Sequence, residues 1–246
     1  MNRFDKVDDP RRRLLVEALT VGLIAAGFPA GNAYAQLFGR RPAQLPPGQS
    51  IYRIAGTTLV NGKAATLQTL VRPGDTVETG RDSEIVFVVS GHSMIMRPET
   101  HLVIESERKD AASLPATGLR MRMRTGQLLS VSRDSPMRIT TSTAAIDIRG
   151  TGWYAESDPE KTYFCTCYGV AEIAASNDPG SKETVVSKQH DRPLYILGKS
   201  AAGTSIRNAP FINHTDQELM LVETLVGRTP PFVFPKDNYT GPRRDY

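Results

Sequence analysis

From residue 52 to about residue 197 the apolar positions recur with a period of two, or in short unbroken runs, and not with the 3.6-residue period of a helix. Runs rich in Val, Ile, Thr and aromatic residues are separated by turn signals: Asn61-Gly62, Pro73-Gly74-Asp75, Thr79-Gly80, Ser90-Gly91 and Asp178-Pro179-Gly180. Candidate strands cover 76–78, 84–89, 93–96, 101–105, 119–124, 127–132, 138–140, 144–149, 152–156, 162–168, 170–174, 184–187 and 194–197. Strands at about ten-residue spacing point to an all-β body, either a sandwich or barrel or a β-solenoid. Strand–helix alternation is missing, which argues against a doubly wound parallel sheet.

The period changes only near the C-terminus. Thr215-Asp216-Gln217-Glu218 is a capping-box pattern, with Leu219, Val222, Leu225 and Val226 following at helical spacing. Gly227 suits a left-handed cap and Pro230-Pro231 stop any continuation. One short amphipathic helix over about 216–226 is expected to pack on the β body.

At the other end, Arg11-Arg12-Arg13 precede an apolar stretch reaching about Phe28, then small residues ending in Ala33-Tyr34-Ala35. A positive n-region, a short h-region and an A-x-A site describe a secretory signal peptide. About 15 apolar residues interrupted by Glu17 fall short of the ~20 a spanning helix needs. Cleavage after Ala35 is expected, and the arginine run resembles a twin-arginine signal. An uncleaved leader would instead be the chain's sole attachment to a membrane. Either outcome places the bulk of the protein in the periplasm. The resulting division is a leader at 1–35, a Pro/Gly-rich linker at 36–51, a β domain at 52–200 and a C-terminal extension with the helix at 201–246.

At 39% hydrophobic and 23% charged residues the chain can bury a core. The formal net charge is +4, and setting aside the five basic and four acidic leader residues leaves +3. That is too little, and too dispersed, for a nucleic-acid groove. The densest basic run is Arg120, Arg122 and Arg124, alternating with Met121 and Met123. On a strand the three arginines share one face, either a solvated surface over a methionine core or a contact for an anionic partner.

The β region also carries a set of motifs in order. Residues 56–62 (GTTLVNG) and 70–80 (LVRPGDTVETG) look like an L-x-x-G-D-x-I-x-T-G turn and its approach. Residues 97–104 (RPETHLVI) look like a P-x-S-x-l-x-I strand. Residues 139–154 (ITTSTAAIDIRGTGWY) are similar to T-x-x-a-x-v-R-G-T-x-F-x-V, and 162–173 (TYFCTCYGVAEI) close the series. Together these resemble the FecR domain family over about residues 52–190. The resemblance implies a periplasmic, non-enzymatic sensor or binding module that contacts an envelope protein, either a receptor or a membrane sensor. The chain departs from the family's best-known setting, lacking recognisable N-terminal anti-sigma helices. Candidate contacts are the Arg120–Arg124 face, the Arg149-Gly150-Thr151 turn and the C-terminal helix.

Cys165 and Cys167 are the only cysteines, and their i, i+2 spacing on a strand aims both at one face. Three roles stay open: small buried hydrophobes, a labile redox pair, or half of a Cys2His2 metal site completed by His190 and His214. The C-x-C spacing is shorter than the usual C-x(2–4)-C of structural zinc. His92 is expected in an exposed turn, His101 on a strand, and His214 at the start of the helix. Asp147 is expected to pair with Arg149. No G-x-S-x-G, Walker loop, dinucleotide glycine motif or H-E-x-x-H occurs, so neither an enzyme nor an organic cofactor is expected.

Overall fold

The computed structural model describes residues 43–106, 118–132 and 135–231. The leader, the first part of the linker and the tail beyond 231 lie outside the described residues. Among the described residues no helix is long and apolar enough to cross a membrane.

The body is a 14-stranded sheet. Its strands are β1 (Ile51–Ala55), β2 (Thr58–Val60), β3 (Lys63–Ala64), β4 (Thr76–Thr79), β5 (Glu84–Val89), β6 (His92–Met96) and β7 (His101–Ile104). They continue as β8 (Leu119–Ser132), β9 (Met137–Thr140), β10 (Ala144–Ser157), β11 (Lys161–Ala175), β12 (Lys182–Ser187), β13 (Leu194–Leu197) and β14 (Ile206–Asn208). Helix α1 (Asp216–Leu225) follows. The all-β expectation with one short C-terminal helix holds.

Three long strands explain how one sheet makes two layers. The first half of β8 pairs with β7 and β9, its second half with β6 and β10. The first half of β10 pairs with β9, its second half with β8. The first half of β11 pairs with β13, its second half with β12. Each strand therefore enters one layer and leaves in the other. One layer runs β1-β5-β6-β8-β10-β11-β13-β14; the other runs β3-β2-β4-β7-β8-β9-β10-β11-β12. Every pairing is antiparallel except β8–β9, so the body is a bent-sheet sandwich and not a solenoid of parallel coils.

The bends explain why the sequence pattern broke each long strand in two. Gly126 (φ +101), Gly150 (φ +64) and Gly169 (φ +91) take positive-φ conformations within β8, β10 and β11. The β10–β11 register shifts between Arg149 and Gly152, as at a bulge. At Gly169 a Cβ would lie 2.6 Å from the Gly150 carbonyl oxygen, so neither the conformation nor the space admits a side chain.

The alternation of side chains then fills two cores. Phe87, Met94, Met96, Leu102, Met121, Met123, Ile146, Trp153 and Phe164 meet between the layers. Val86, Ile95, Leu129, Val131, Tyr154 and Tyr163 face outward from the first layer and are covered by Leu219, Leu221, Val222 and Leu225 of α1. The capping box is formed, with the Thr215 hydroxyl accepting from the Glu218 amide and the Glu218 carboxylate accepting from the Thr215 amide. The helix ends in a Schellman motif around Gly227 (φ +71), where Gly227 N donates to Thr224 O and Arg228 N to Glu223 O.

Two smaller expectations change. His92 is buried, because it begins β6 and does not occupy the tip of the turn. Asp147 pairs across strands with Arg138 (2.6 Å), and Arg149 with Glu172 (3.5 Å). Arg138 lies directly opposite Asp147, closer than an i, i+2 neighbour along one strand, and Arg149 reaches diagonally to Glu172, which stands opposite Asp147 on β11.

Gly169→Ala should lower stability by about 1–3 kcal/mol, the usual magnitude for forcing a side chain into such a conformation. Chemical denaturation of both chains checks this; equal midpoints would show that the β11 bend tolerates a Cβ.

Candidate metal centre

Tyr163, Cys165 and Cys167 alternate on β11 towards the α1 side, while Phe164 packs between the layers. A strand carries i, i+2 side chains in parallel, so C-x-C can present two sulfurs to one point where a helix or turn would need a longer spacing. His190 comes from the loop between β12 and β13, and His214 immediately precedes the Thr215 cap of α1. The ligand atoms of Cys165, Cys167, His190 and His214 all lie within 4.8 Å of one another. Cys165 Sγ is 3.5 Å from His190 Nδ1, which is 3.2 Å from His214 Nε2. Tetrahedral zinc bonds of ~2.0–2.1 Å to nitrogen and ~2.3 Å to sulfur imply ligand separations of roughly 3.3–3.8 Å. These two separations sit within or just below that range, and the whole set, within 4.8 Å, would draw in by up to about 1 Å to close on an ion.

The spare ring nitrogens are committed elsewhere. His214 Nδ1 donates to the Ile212 carbonyl oxygen at 2.7 Å, leaving Nε2 to face the cluster. His190 Nε2 donates to Asp216 at 2.8 Å, leaving Nδ1 to face it. Gln189 holds the other Asp216 oxygen at 2.9 Å. A carbonyl or carboxylate that fixes the far nitrogen is the usual support of a metal-ligating imidazole. His190 also holds a left-handed backbone (φ +52), secured by donation from its amide to Cys167 O at 2.9 Å. Such conformations concentrate at functional sites.

The site is closed to water. Cys165 and Cys167 are fully buried, His214 and Asp216 are 1% exposed and the His190 side chain is 7% exposed. Tyr154 stacks on His214 at 4.5 Å between ring centres, and Phe211 lies 4.2 Å from His190. Burial opposes charge on Cys165, Cys167 and His190, yet their neighbours override it at Cys165 and His190. Burial would raise the Cys165 thiol, but a hydrogen bond from Cys167 and the nearby His214 and His190 hold it well below its ordinary value. Cys167, by burial and by the neighbouring Cys165, is pushed well above. Burial would lower His190, but Asp216 and Cys165 raise it to about 9.

Beside the ligands lies a polar network that the sequence pattern did not reveal. Arg97 is 3% exposed and donates to Tyr154 Oη at 2.8 Å, to Glu218 at 2.8 Å and to the Asn213 carbonyl. Burial would lower its pKa, but Tyr154 and Glu218 hold it above the usual value. Tyr154 Oη donates to Glu156 at 2.7 Å, and Asn213 Nδ2 donates to the same carboxylate at 2.8 Å. Asp216 was readable only as a helix-capping residue, because its partner His190 is 26 residues away.

Of the other predicted contacts, the arginines lie on the second layer and Thr151 at the bend where β10 passes to the first. Arg120 and Arg122 pair with Glu105 at 3.5 and 2.9 Å, on the solvent face that also carries exposed Arg124. Arg149 is exposed, whereas Thr151 is buried and donates to the Gly152 carbonyl at 2.6 Å. The arginines and the Cys2His2 cluster therefore occupy opposite faces of the sandwich.

No protein-family model matches the chain, and no curated protein does. Among solved structures, two crystal structures of a putative anti-sigma factor from Parabacteroides distasonis ATCC 8503, at 1.65 and 2.50 Å resolution, are similar to it. Both share 12% identity with it, and the match covers 55% of this chain and 58% of theirs, with TM-scores of 0.42 and 0.40. The chain therefore matches less than two thirds of that protein's length. What the site does rests on its own residues.

Two outcomes follow from the site's chemistry. Asp216→Asn, which keeps all four ligands, should weaken metal binding by about 10–100-fold, as loss of such a support usually does. Competition with a chromophoric chelator measures it; unchanged affinity would leave Asp216 as a first-turn helix carboxylate alone. Binding should also strengthen as pH rises. At pH 7 an ion must displace a proton from His190, raised to about 9, and from Cys167, raised well above its ordinary value. Affinity should climb by up to about tenfold per displaced proton for each pH unit between 7 and 8. A flat profile would show that the ligands are already deprotonated.

Proposed function

We propose that the chain is an exported binding module of the cell envelope that holds one divalent transition metal ion, zinc by class, at Cys165, Cys167, His190 and His214. The observation that carries this reading is the convergence of four ligand atoms whose two imidazoles each have the far nitrogen tied off. Charge supports a divalent ion. Two thiolates and two neutral imidazoles are balanced by a 2+ ion, leaving only the hydrogen-bonded Asp216 carboxylate, whereas a monovalent ion leaves two negative charges together in the buried site. Burying an unpaired charge is costly. Four protein ligands in a closed, tetrahedral-scale cluster suit a structural or sensing site rather than a catalytic one, which keeps a position open for water.

The leader and the FecR-like motifs support the envelope setting and action through contact with a receptor or membrane sensor rather than turnover. The periplasmic location rests on the leader's arginine run, apolar stretch and A-x-A site. The exposed arginine face and the C-terminal helix are the candidate contacts.

Metal analysis of the purified full-length protein should find one zinc per chain. Cobalt(II) replacement should give tetrahedral visible bands and thiolate charge-transfer absorption, both lost in Cys167→Ser. A metal-free chain with a Cys165–Cys167 disulfide would overturn this reading in favour of a thiol redox role. Crosslinking capture from cells with and without a chelator then tests whether a partner depends on the ion.

A further inference from the structure

We propose that the ion is a latch: its occupancy sets how firmly the C-terminal flap, residues 209–228, is held over the outer face of the sandwich. This rests on the metal reading above and assigns that site its regulation. Three ligands belong to the body. Cys165 and Cys167 lie on β11, and His190 is fastened to the same strand through the hydrogen bond its backbone N–H donates to the Cys167 carbonyl oxygen. The fourth ligand, His214, arrives on the flap, as does Asp216, the carboxylate that orients His190. Closing the flap therefore completes the coordination shell, and opening it removes one ligand and one support together.

The remaining ties leave the latch room to matter. Helix α1 has 10 residues, too few to persist away from the sheet. It covers Val86, Ile95, Leu129 and Val131 with Leu219, Leu221, Val222 and Leu225. Its polar anchors include the buried Arg97–Glu218 pair, which exchanges strong desolvation for strong attraction and so contributes little net hold, the Tyr168 hydroxyl donating to the buried Glu223 carboxylate, and Leu45 N donating to the Leu225 carbonyl. Arg97 also reaches the Asn213 carbonyl, and Tyr163 Oη bonds to the Pro210 carbonyl and to the Ile212 amide. These contacts position the flap whether or not an ion is bound. The ion adds a hold that is reversible and varies with metal concentration.

The same geometry makes the flap a gate. The two cysteines are fully buried, His214 is 1% exposed and the His190 side chain 7% exposed, so lifting the flap opens the way out for an ion. An ion that binds the closed form more tightly than the open one suppresses opening by at most the ratio of the two dissociation constants, on the order of 100-fold where the three body donors alone hold it about a hundredth as tightly.

Hydrogen exchange with mass spectrometry on the full-length protein, zinc-loaded and chelator-treated, tests this directly. Amides of 211–226 should exchange up to ~100-fold more slowly with zinc, while those of β5, β8 and β10 keep the same rates. In His214→Asn the body's three ligands remain, and the flap's exchange should no longer respond to zinc. One bound zinc with flap exchange identical in both states would overturn the latch while leaving the metal reading intact. Protection lost together from β8, β10 and α1 on chelation would also overturn it, because the ion would then hold the whole body. A chain that takes up no zinc ends both readings.

Discussion

Everything in this molecule depends on three strands that each belong to two layers. Because β8, β10 and β11 cross from one layer to the other, the two halves of the sandwich cannot separate without breaking strands. The bends at Gly126, Gly150 and Gly169 supply the turn of direction that ordinary residues resist. The frame leaves the first layer with apolar residues on both faces. One face closes against the second layer, and the other needs a separate cover.

That cover is where the chemistry gathers. A short helix with a capping box would be an ordinary way to shield Val86, Ile95, Leu129 and Val131. Here the cover also brings an imidazole to two thiols and a second imidazole, and buries Arg97 and Glu218 under its first turn. Burying this much polarity is expensive unless each group meets its partner. The hydrogen bonds around Asp216, Tyr154, Glu156 and Asn213 meet most of that demand within the protein. The four donor atoms drawn together in the same dry pocket meet one another there, and the proposed ion would be their common partner.

Much of the frame was legible in the chain's alternation, since strands such as β5 and β13 were bounded by clear turn signals and the helix by its capping box. The long strands were read as pairs of short ones, because a glycine inside a strand looks the same in sequence whether it ends the strand or bends it. Strands β2, β3 and β14, two or three residues each, offer too little periodicity to stand out. For the site, the four ligand types were visible, but their convergence was not. His190 and His214 reach the cysteines through loops whose paths depend on tertiary packing, and the Arg97–Glu218 pair spans 121 positions. Local pattern cannot encode such meetings.

One property of the cluster bears on how it could change over time. Three of its four donors belong to the body and one to the last stretch of described chain. With the proposed ion bound, a homologue ending before residue 209 would keep a tripod of two sulfurs and one nitrogen, with the fourth position open to water. An open fourth position is the coordination habit of catalytic zinc rather than of closed structural zinc. In this architecture the distance between a binding protein and the raw material for an enzyme is the length of one flap.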